Sequence, residues 1–121
     1  MNQEDLISVI MATYNCENSI VESIESIINQ TYTNWEFIIC DDCSTDRTYQ
    51  ILQDYKGKYP NKFVILKNKQ NSKLSYSLNH CLKYAKGKYI ARMDGDDKSD
   101  FERLRKQIEF LKSHREYQLV G

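Results

Sequence analysis

Glycine and proline are scarce in this chain. Glycine occupies only positions 57, 87, 95 and 121, and Pro60 is the single proline. With so few glycines there is no G-x-G-x-x-G dinucleotide cradle and no G-x-x-x-x-G-K-[ST] phosphate loop. There is also no linker, internal repeat or low-complexity stretch, so 121 residues read as one domain or part of one. A surplus of charge is missing too: Lys plus Arg total 17 and Asp plus Glu total 17. That balance argues against nucleic acid as a partner, because phosphate-backbone binding needs excess positive charge. The longest apolar runs reach about six residues, against the roughly 20 that a membrane helix requires. The start, MNQED, is polar and acidic rather than basic and then apolar as in a secretory signal. The expectation is a cytoplasmic protein, with peripheral attachment at the inner face of the plasma membrane left open.

Cysteine is sparse in a way that bears on chemistry. Cys40 and Cys43 form one C-x-x-C, and Cys16 and Cys81 stand apart. A structural zinc site would want four converging ligands, usually from two such pairs. The residues between the pair are Asp41 and Asp42, whose charge opposes thiolate formation. Reduced, inert thiols are expected.

What the chain does have is an ordinary globular balance, 40% hydrophobic and 28% charged, enough for a real core. Its apolar residues alternate between two periods. The run LISVIMA at 6–12 is near-continuously apolar, as in a strand buried on both faces. Ile20, Ile24, Ile27 and Ile28 then form one helical stripe, with Ser19 and Glu22 as a capping box. WEFIIC at 35–40 reads as a second strand. A second helix follows, capped by Ser44 or Thr45, with Tyr49, Leu52, Tyr55 and Tyr59 inward and Pro60 at its end. FVIL at 63–66 is a third strand. Leu74, Leu78, Cys81, Leu82 and Ala85 stripe a third helix closed by Gly87. YIARM at 89–93 is a fourth strand; Ser99 and Glu102 form another capping box before a stripe of Phe101, Leu104, Ile108 and Leu111. Leu119, Val120 and Gly121 start a fifth strand, and a stop inside an apolar run suggests a fragment. Alternating strands and helices imply a three-layer α/β/α fold around a mostly parallel sheet.

Ligands of such sheets bind beyond the carboxyl ends of the strands. Three polar loops are expected there: Thr13 to Asn18, Asp41 to Ser44, and Asp94 to Asp97. Five aspartates on two neighbouring loops repel one another unless a cation offsets them. Mg2+ or Mn2+ takes one or two protein carboxylates and completes its shell with water and substrate phosphate oxygens. Remaining carboxylates can accept hydrogen bonds from a base N–H or ribose hydroxyls, and Tyr14 offers a ring for stacking. Asp and Ser in such loops also serve simply to cap helices and shape turns. Two clusters on one sheet edge favour a site. His80 and His114 read as surface residues, and Arg103, Arg105, Lys106 and Lys112 as a solvated helix face.

The segments SVIMATYN at 8–15, SIINQTY at 26–32, DDCSTD at 41–46 and AKGKYIARMDGDD at 85–97, in this order and spacing, resemble the N-terminal half of the family 2 glycosyltransferases of GT-A fold. The last segment is similar to that of bacterial enzymes building capsule and lipopolysaccharide sugars. The resemblance implies transfer of a sugar, with inversion, from a nucleotide donor, usually a UDP-sugar, to a saccharide or lipid-linked acceptor. It implies that Thr13, Tyr14 and Asn15 line the nucleotide pocket, with Glu17 nearby. Asp42, beside Asp41, would meet the base, Asp94 the ribose or donor sugar, and Asp96 together with Asp94 the metal, with Gly95 in the same turn. It places no catalytic residue within the chain, the general base being expected beyond Gly121. Four departures stand out: Ala12 where Pro is common, Cys43 and Lys73 where Gly is common, and Leu78 where Arg is frequent near the diphosphate. Lys73 and Arg92 are candidates to replace that Arg. A nucleotidyltransferase and a non-catalytic assembly domain stay open as alternatives. A homodimer stays open as well, through apolar surface on an incomplete sheet.

Overall fold

The computed structural model describes residues 5–100, 102–113 and 119–120. The elements alternate as expected: β1 (Ile7–Thr13), α1 (Ile20–Ile28), β2 (Trp35–Asp41), α2 (Thr48–Lys58), β3 (Phe63–Lys67), α3 (Leu74–Leu82), β4 (Tyr89–Asp94), α4 (Arg103–Ser113) and β5 (Leu119–Val120). All pairings are parallel, in the order β3-β2-β1-β4-β5. The order reverses at β1, which lies between β2 and β4, and this creates a topological switch point at the carboxyl edge between β1 and β4.

Strand parity sorts the core into two layers. Val9, Met11, Phe37, Ile39, Ala91 and Met93 face α1, α2 and α4 in the larger cluster. Ile10, Ile38 and Cys40 face α3 through Cys81, with Leu78 and Ala85 packed at the margin. Both faces of β1 and β2 are therefore covered, which explains their near-continuous apolar runs. Among the described residues no helix is long and apolar enough to cross a membrane.

Several local expectations are corrected. Ser19 and Glu22 form no capping box, since no side-chain cap bond is made at Ser19; its hydroxyl donates instead to the Gly95 carbonyl at 3.1 Å. α2 is not started by Ser44 or Thr45. Asp46 Oδ1 accepts from the Thr48 N–H (2.9 Å) and hydroxyl (2.6 Å), an Asx turn. At α4, Asp100 Oδ1 accepts from the Glu102 N–H, while Ser99 accepts from the Arg103 guanidinium, so the second capping box is also absent. α3 is rotated from its expected face: Cys81 is buried as expected, but Ser77 is buried beside it, whereas Leu74 and Leu82 are exposed. Tyr59 follows α2 and is partly exposed rather than inward. Gly87 is required by a close approach and not by a left-handed helix end: a Cβ there would lie 2.6 Å from the Ser8 nitrogen. Phe101, His114 and Gly121 lie outside the described residues.

Candidate functional site

The three loops do meet at the carboxyl edge, and their side chains first of all knit the loops to one another. Register sets Thr13 opposite Asp41 and Ala12 opposite Asp94. The Thr13 hydroxyl donates to Asp41 Oδ1 at 2.9 Å, the Ser44 hydroxyl donates to the same oxygen at 2.6 Å, and the Ser44 N–H donates to Oδ2 at 2.9 Å. Asp41 is fully buried. A buried carboxylate with three donors is satisfied where it stands, so Asp41 forms the foundation of the site and not a ligand-facing wall.

Asn15 holds φ at 48°, the left-handed region that Asn tolerates better than most residues. There its Oδ1 accepts the Thr45 N–H at 2.8 Å, and its own N–H donates to Ser44 Oγ at 2.9 Å. Glu17 accepts the Arg47 N–H at 3.2 Å and donates its N–H to Asp46 Oδ2 at 3.2 Å. The first and second loops are thus stitched together across roughly thirty residues of sequence, leaving Tyr14 half-exposed between them.

Asp42 is also nearly buried, and it organises a loop that sequence reasoning passed over, the segment after β3. Its Oδ1 accepts from Asn68 Nδ2 and the Ser72 N–H, both at 2.8 Å, and its Oδ2 accepts from the Lys73 N–H at 3.1 Å. Asn68 is buried and also donates to Ser77 at 2.8 Å. Its Oδ1 lies 3.3 Å from Cys40 Sγ and 3.2 Å from His80 Nδ1. His80 is therefore half-buried and partnered, not a plain surface residue. The rule that led to the other loops applied equally here: Asn68 follows a strand at the same sheet edge. Two departures from the family pattern acquire a structural meaning. Cys43 has φ 62° and Lys73 has φ 80° with ψ 162°, conformations in which glycine is at ease.

The fourth-strand loop is a tight turn. The Asp97 N–H donates to the Asp94 carbonyl at 3.0 Å, and the Asp94 N–H donates to Asp97 Oδ2 at 2.9 Å. Gly95 does not adopt positive φ. Its value lies in proximity, since a Cβ would sit 2.9 Å from Cys16 Sγ. Asp94, Asp96 and Asp97 are exposed and bring carboxylate oxygens within 4.8 Å of one another. An all-oxygen, solvent-facing set of this kind fits Mg2+ or Mn2+. Arg92 lies 3.6 Å from Asp94. Burial pushes the Arg103 guanidinium below its ordinary value, opposed by the charges of Asp97, Asp100 and Asp94. Arg103 is therefore a half-buried cation behind the turn and not part of a solvated face.

The aspartate turn borders two openings. One, of about 410 Å³, is lined by Thr13, Tyr14, Asn15, Cys16, Gly95 and Asp96 among others, at the switch point. The other, about 310 Å³, is bounded by Arg92, Met93, Asp94 and Asp97. Thr13, Tyr14, Asn15, Gly95 and Asp96 are thus brought together, Asp94 opens on the adjoining depression, and Asp41, Asp42, Glu17 and Lys73 shape the surrounding loops. Cys40 and Cys81 are buried, and burial pushes their thiols up to about 11 and about 12.

This geometry has counterparts. Residues 8–121 match the model of glycosyl transferase family 2. The chain is 54% identical over its whole length to EpsE of Bacillus subtilis (strain 168), a protein provisionally named a glycosyltransferase, and spans 44% of it. It is 39% identical over 92% of its length to the UDP-Glc:alpha-D-GlcNAc-diphosphoundecaprenol beta-1,3-glucosyltransferase WfaP of Escherichia coli, spanning 43% of that protein. The S. aureus TarS structure in complex with UDP superposes with a TM-score of 0.80 at 34% identity, over 90% of this chain and 32% of that one. TarS has also been solved with UDP-GlcNAc. The chain thus spans less than half the length of these relatives, and the sheet and its helices are of the GT-A type. On sequence and fold together, the chain belongs to glycosyl transferase family 2.

Proposed function

We propose that this chain forms the donor-binding part of a metal-dependent, inverting glycosyltransferase that uses a UDP-sugar in surface polysaccharide synthesis. One observation carries the reading. At the β1/β4 switch point a cavity of about 410 Å³ has the Thr13–Tyr14–Asn15 loop on one side and Asp96 on the other. Asp96 belongs in turn to the three-carboxylate group that fits a divalent ion. A nucleoside diphosphate needs both: a surface for the base and ribose, and a cation for the phosphates.

In this reading Tyr14 stacks on the base, and Thr13 and Asn15 line the ribose. The buried Asp42 fixes the neighbouring loop and offers its remaining acceptor capacity to the base. Asp94, Asp96 and Asp97 would hold Mg2+ or Mn2+. When bound, the ion supplies Lewis-acid stabilisation of charge on the departing nucleoside diphosphate. Arg92, beside Asp94 on the open side, is placed to take the role of the missing arginine at position 78, whereas the Lys73 main chain is committed to Asp42. The reaction is an in-line displacement at the anomeric carbon by an acceptor hydroxyl, whose proton goes to a carboxylate base. We assign that base to the length of the relatives that this chain does not cover. A saccharide or lipid-linked acceptor fits the naming of WfaP, whose acceptor is a diphosphoundecaprenol-linked sugar. An acceptor of that kind would place the reaction at the inner face of the plasma membrane.

Titrating UDP, GDP, ADP and CDP into the chain in the presence of Mn2+ tests the donor class. Preference for UDP supports the reading, and tighter binding of another nucleotide would replace uridine as the base.

A further inference from the structure

The carboxylate turn is held from behind by α1. Ser23 is fully buried on that helix. Serine is a poorer helix former than alanine, and a buried hydroxyl without a partner is costly, so α1 itself gains nothing from Ser23. Its hydroxyl lies 2.8 Å from the Gly95 carbonyl and 3.3 Å from the Ser19 carbonyl. The Ser19 hydroxyl lies 3.1 Å from the same Gly95 oxygen and 3.4 Å from the Cys16 carbonyl. Each hydroxyl has one proton, and in both cases the nearer acceptor is Gly95. A carbonyl oxygen has two lone pairs, so the two donors saturate it. The peptide joining Gly95 to Asp96 is thereby fixed in orientation, and with it the direction in which the Asp96 side chain leaves the main chain.

A second anchor secures the far end of the same loop. Gln30, 4% exposed just beyond α1, donates from Nε2 to the Asp100 carbonyl at 2.5 Å and accepts the Leu104 N–H on Oε1 at 3.0 Å. The residues between Gly95 and Asp100, which include Asp96 and Asp97, are held at both ends by side chains seventy or more positions away.

We infer that Ser19, Ser23 and Gln30 are positioning residues for the metal-binding carboxylates, with α1 acting as a rigid mount for the turn. This rests on the metal reading of Asp94, Asp96 and Asp97. Outer-shell hydrogen bonds to ligand-bearing groups typically contribute about ten- to a hundredfold in metal affinity. The test compares wild type, Ser19→Ala/Ser23→Ala and Asp96→Ala. Mn2+ affinity is read from the electron paramagnetic resonance of the free ion, and backbone order at residues 95–99 from 15N relaxation. The double variant is expected to lose about tenfold in Mn2+ affinity. Order at Asp96 and Asp97 should fall, while the order of α1 and the far-ultraviolet circular dichroism stay as in wild type. Mn2+ affinity equal to wild type in the double variant would overturn the inference. If wild type and Asp96→Ala both fail to bind Mn2+, the metal reading itself falls. The relaxation data then decide the mounting role alone, and unchanged order at Asp96 and Asp97 overturns it.

Discussion

Lys73 adopts φ 80° and ψ 162°, a region that is essentially reserved for glycine. Its conformation is imposed by Asp42, which draws in the N–H groups of Ser72 and Lys73 together. Lys73→Gly should therefore stabilise the chain. Strain of this kind costs about 1–3 kcal/mol. Glycine returns roughly 0.5–1 kcal/mol of that through the greater freedom of the unfolded chain. The Lys73 side chain is exposed, so no packing is lost. The net gain is about 1 kcal/mol, which for a domain of this size raises the unfolding midpoint by roughly 4 °C. Lys73→Ala is the control, because it removes the ammonium and keeps the strained backbone. Thermal unfolding followed by circular dichroism should place Gly above wild type and Ala no higher than wild type. If the glycine and alanine variants melt together, strain at position 73 is not what the backbone angles indicate.

Asp41→Ala leaves the Thr13 hydroxyl and the Ser44 N–H without their buried acceptor, and should cost about 3 kcal/mol in urea unfolding. Gly87→Ala brings a Cβ to 2.6 Å from the Ser8 main chain and should cost about 3 kcal/mol, whereas Gly95→Ala meets only the Cys16 side chain at 2.9 Å and should cost about 1 kcal/mol. Adding Cys16→Ala should restore most of the Gly95→Ala loss, and no recovery would show that the clash lies elsewhere. The buried thiols of Cys40 and Cys81 have values raised from 9.0 to about 11 and about 12. A raised value means that their contribution to stability is complete below about pH 9, where the unfolded thiol is still protonated, and is lost as pH climbs through 11 to 12. Urea midpoints should fall across that window, and a thiol reagent at pH 8 should label Cys43 before Cys40 or Cys81. Early labelling of Cys81 would contradict its burial.

Apolar periodicity placed the four helices and five strands close to their observed bounds, because strand parity and helical stripes follow directly from burial. It failed where polar groups decide orientation. Ser77 joins the expected Cys81 in facing the sheet in α3 while Leu74 and Leu82 face out, since Ser77 bonds the buried Asn68 and a hydrophobic count cannot see that bond. The capping expectations failed for a related reason. Ser19 and Ser99 obey a local rule on paper, but other groups, the distant Gly95 carbonyl and the neighbouring Arg103 guanidinium, take their hydroxyls. The site was legible as three loops on one sheet edge. The division of labour within it was not, because Asp41 and Asp96 are the same residue type in similar loops, and burial alone separates the buried foundation from the exposed candidate for metal binding. Cys43 and Lys73, noted as departures from glycine, were the sequence signal for two left-handed positions.

In the proposed function the switch-point cavity and the carboxylate turn together bind a uridine diphosphate through a divalent ion. Calorimetric titration of UDP into the chain, with and without Mn2+, and again with Asp96→Ala, addresses it directly. Binding that requires Mn2+ and disappears in Asp96→Ala is the predicted result. UDP binding of equal strength without the metal or in the variant would contradict it.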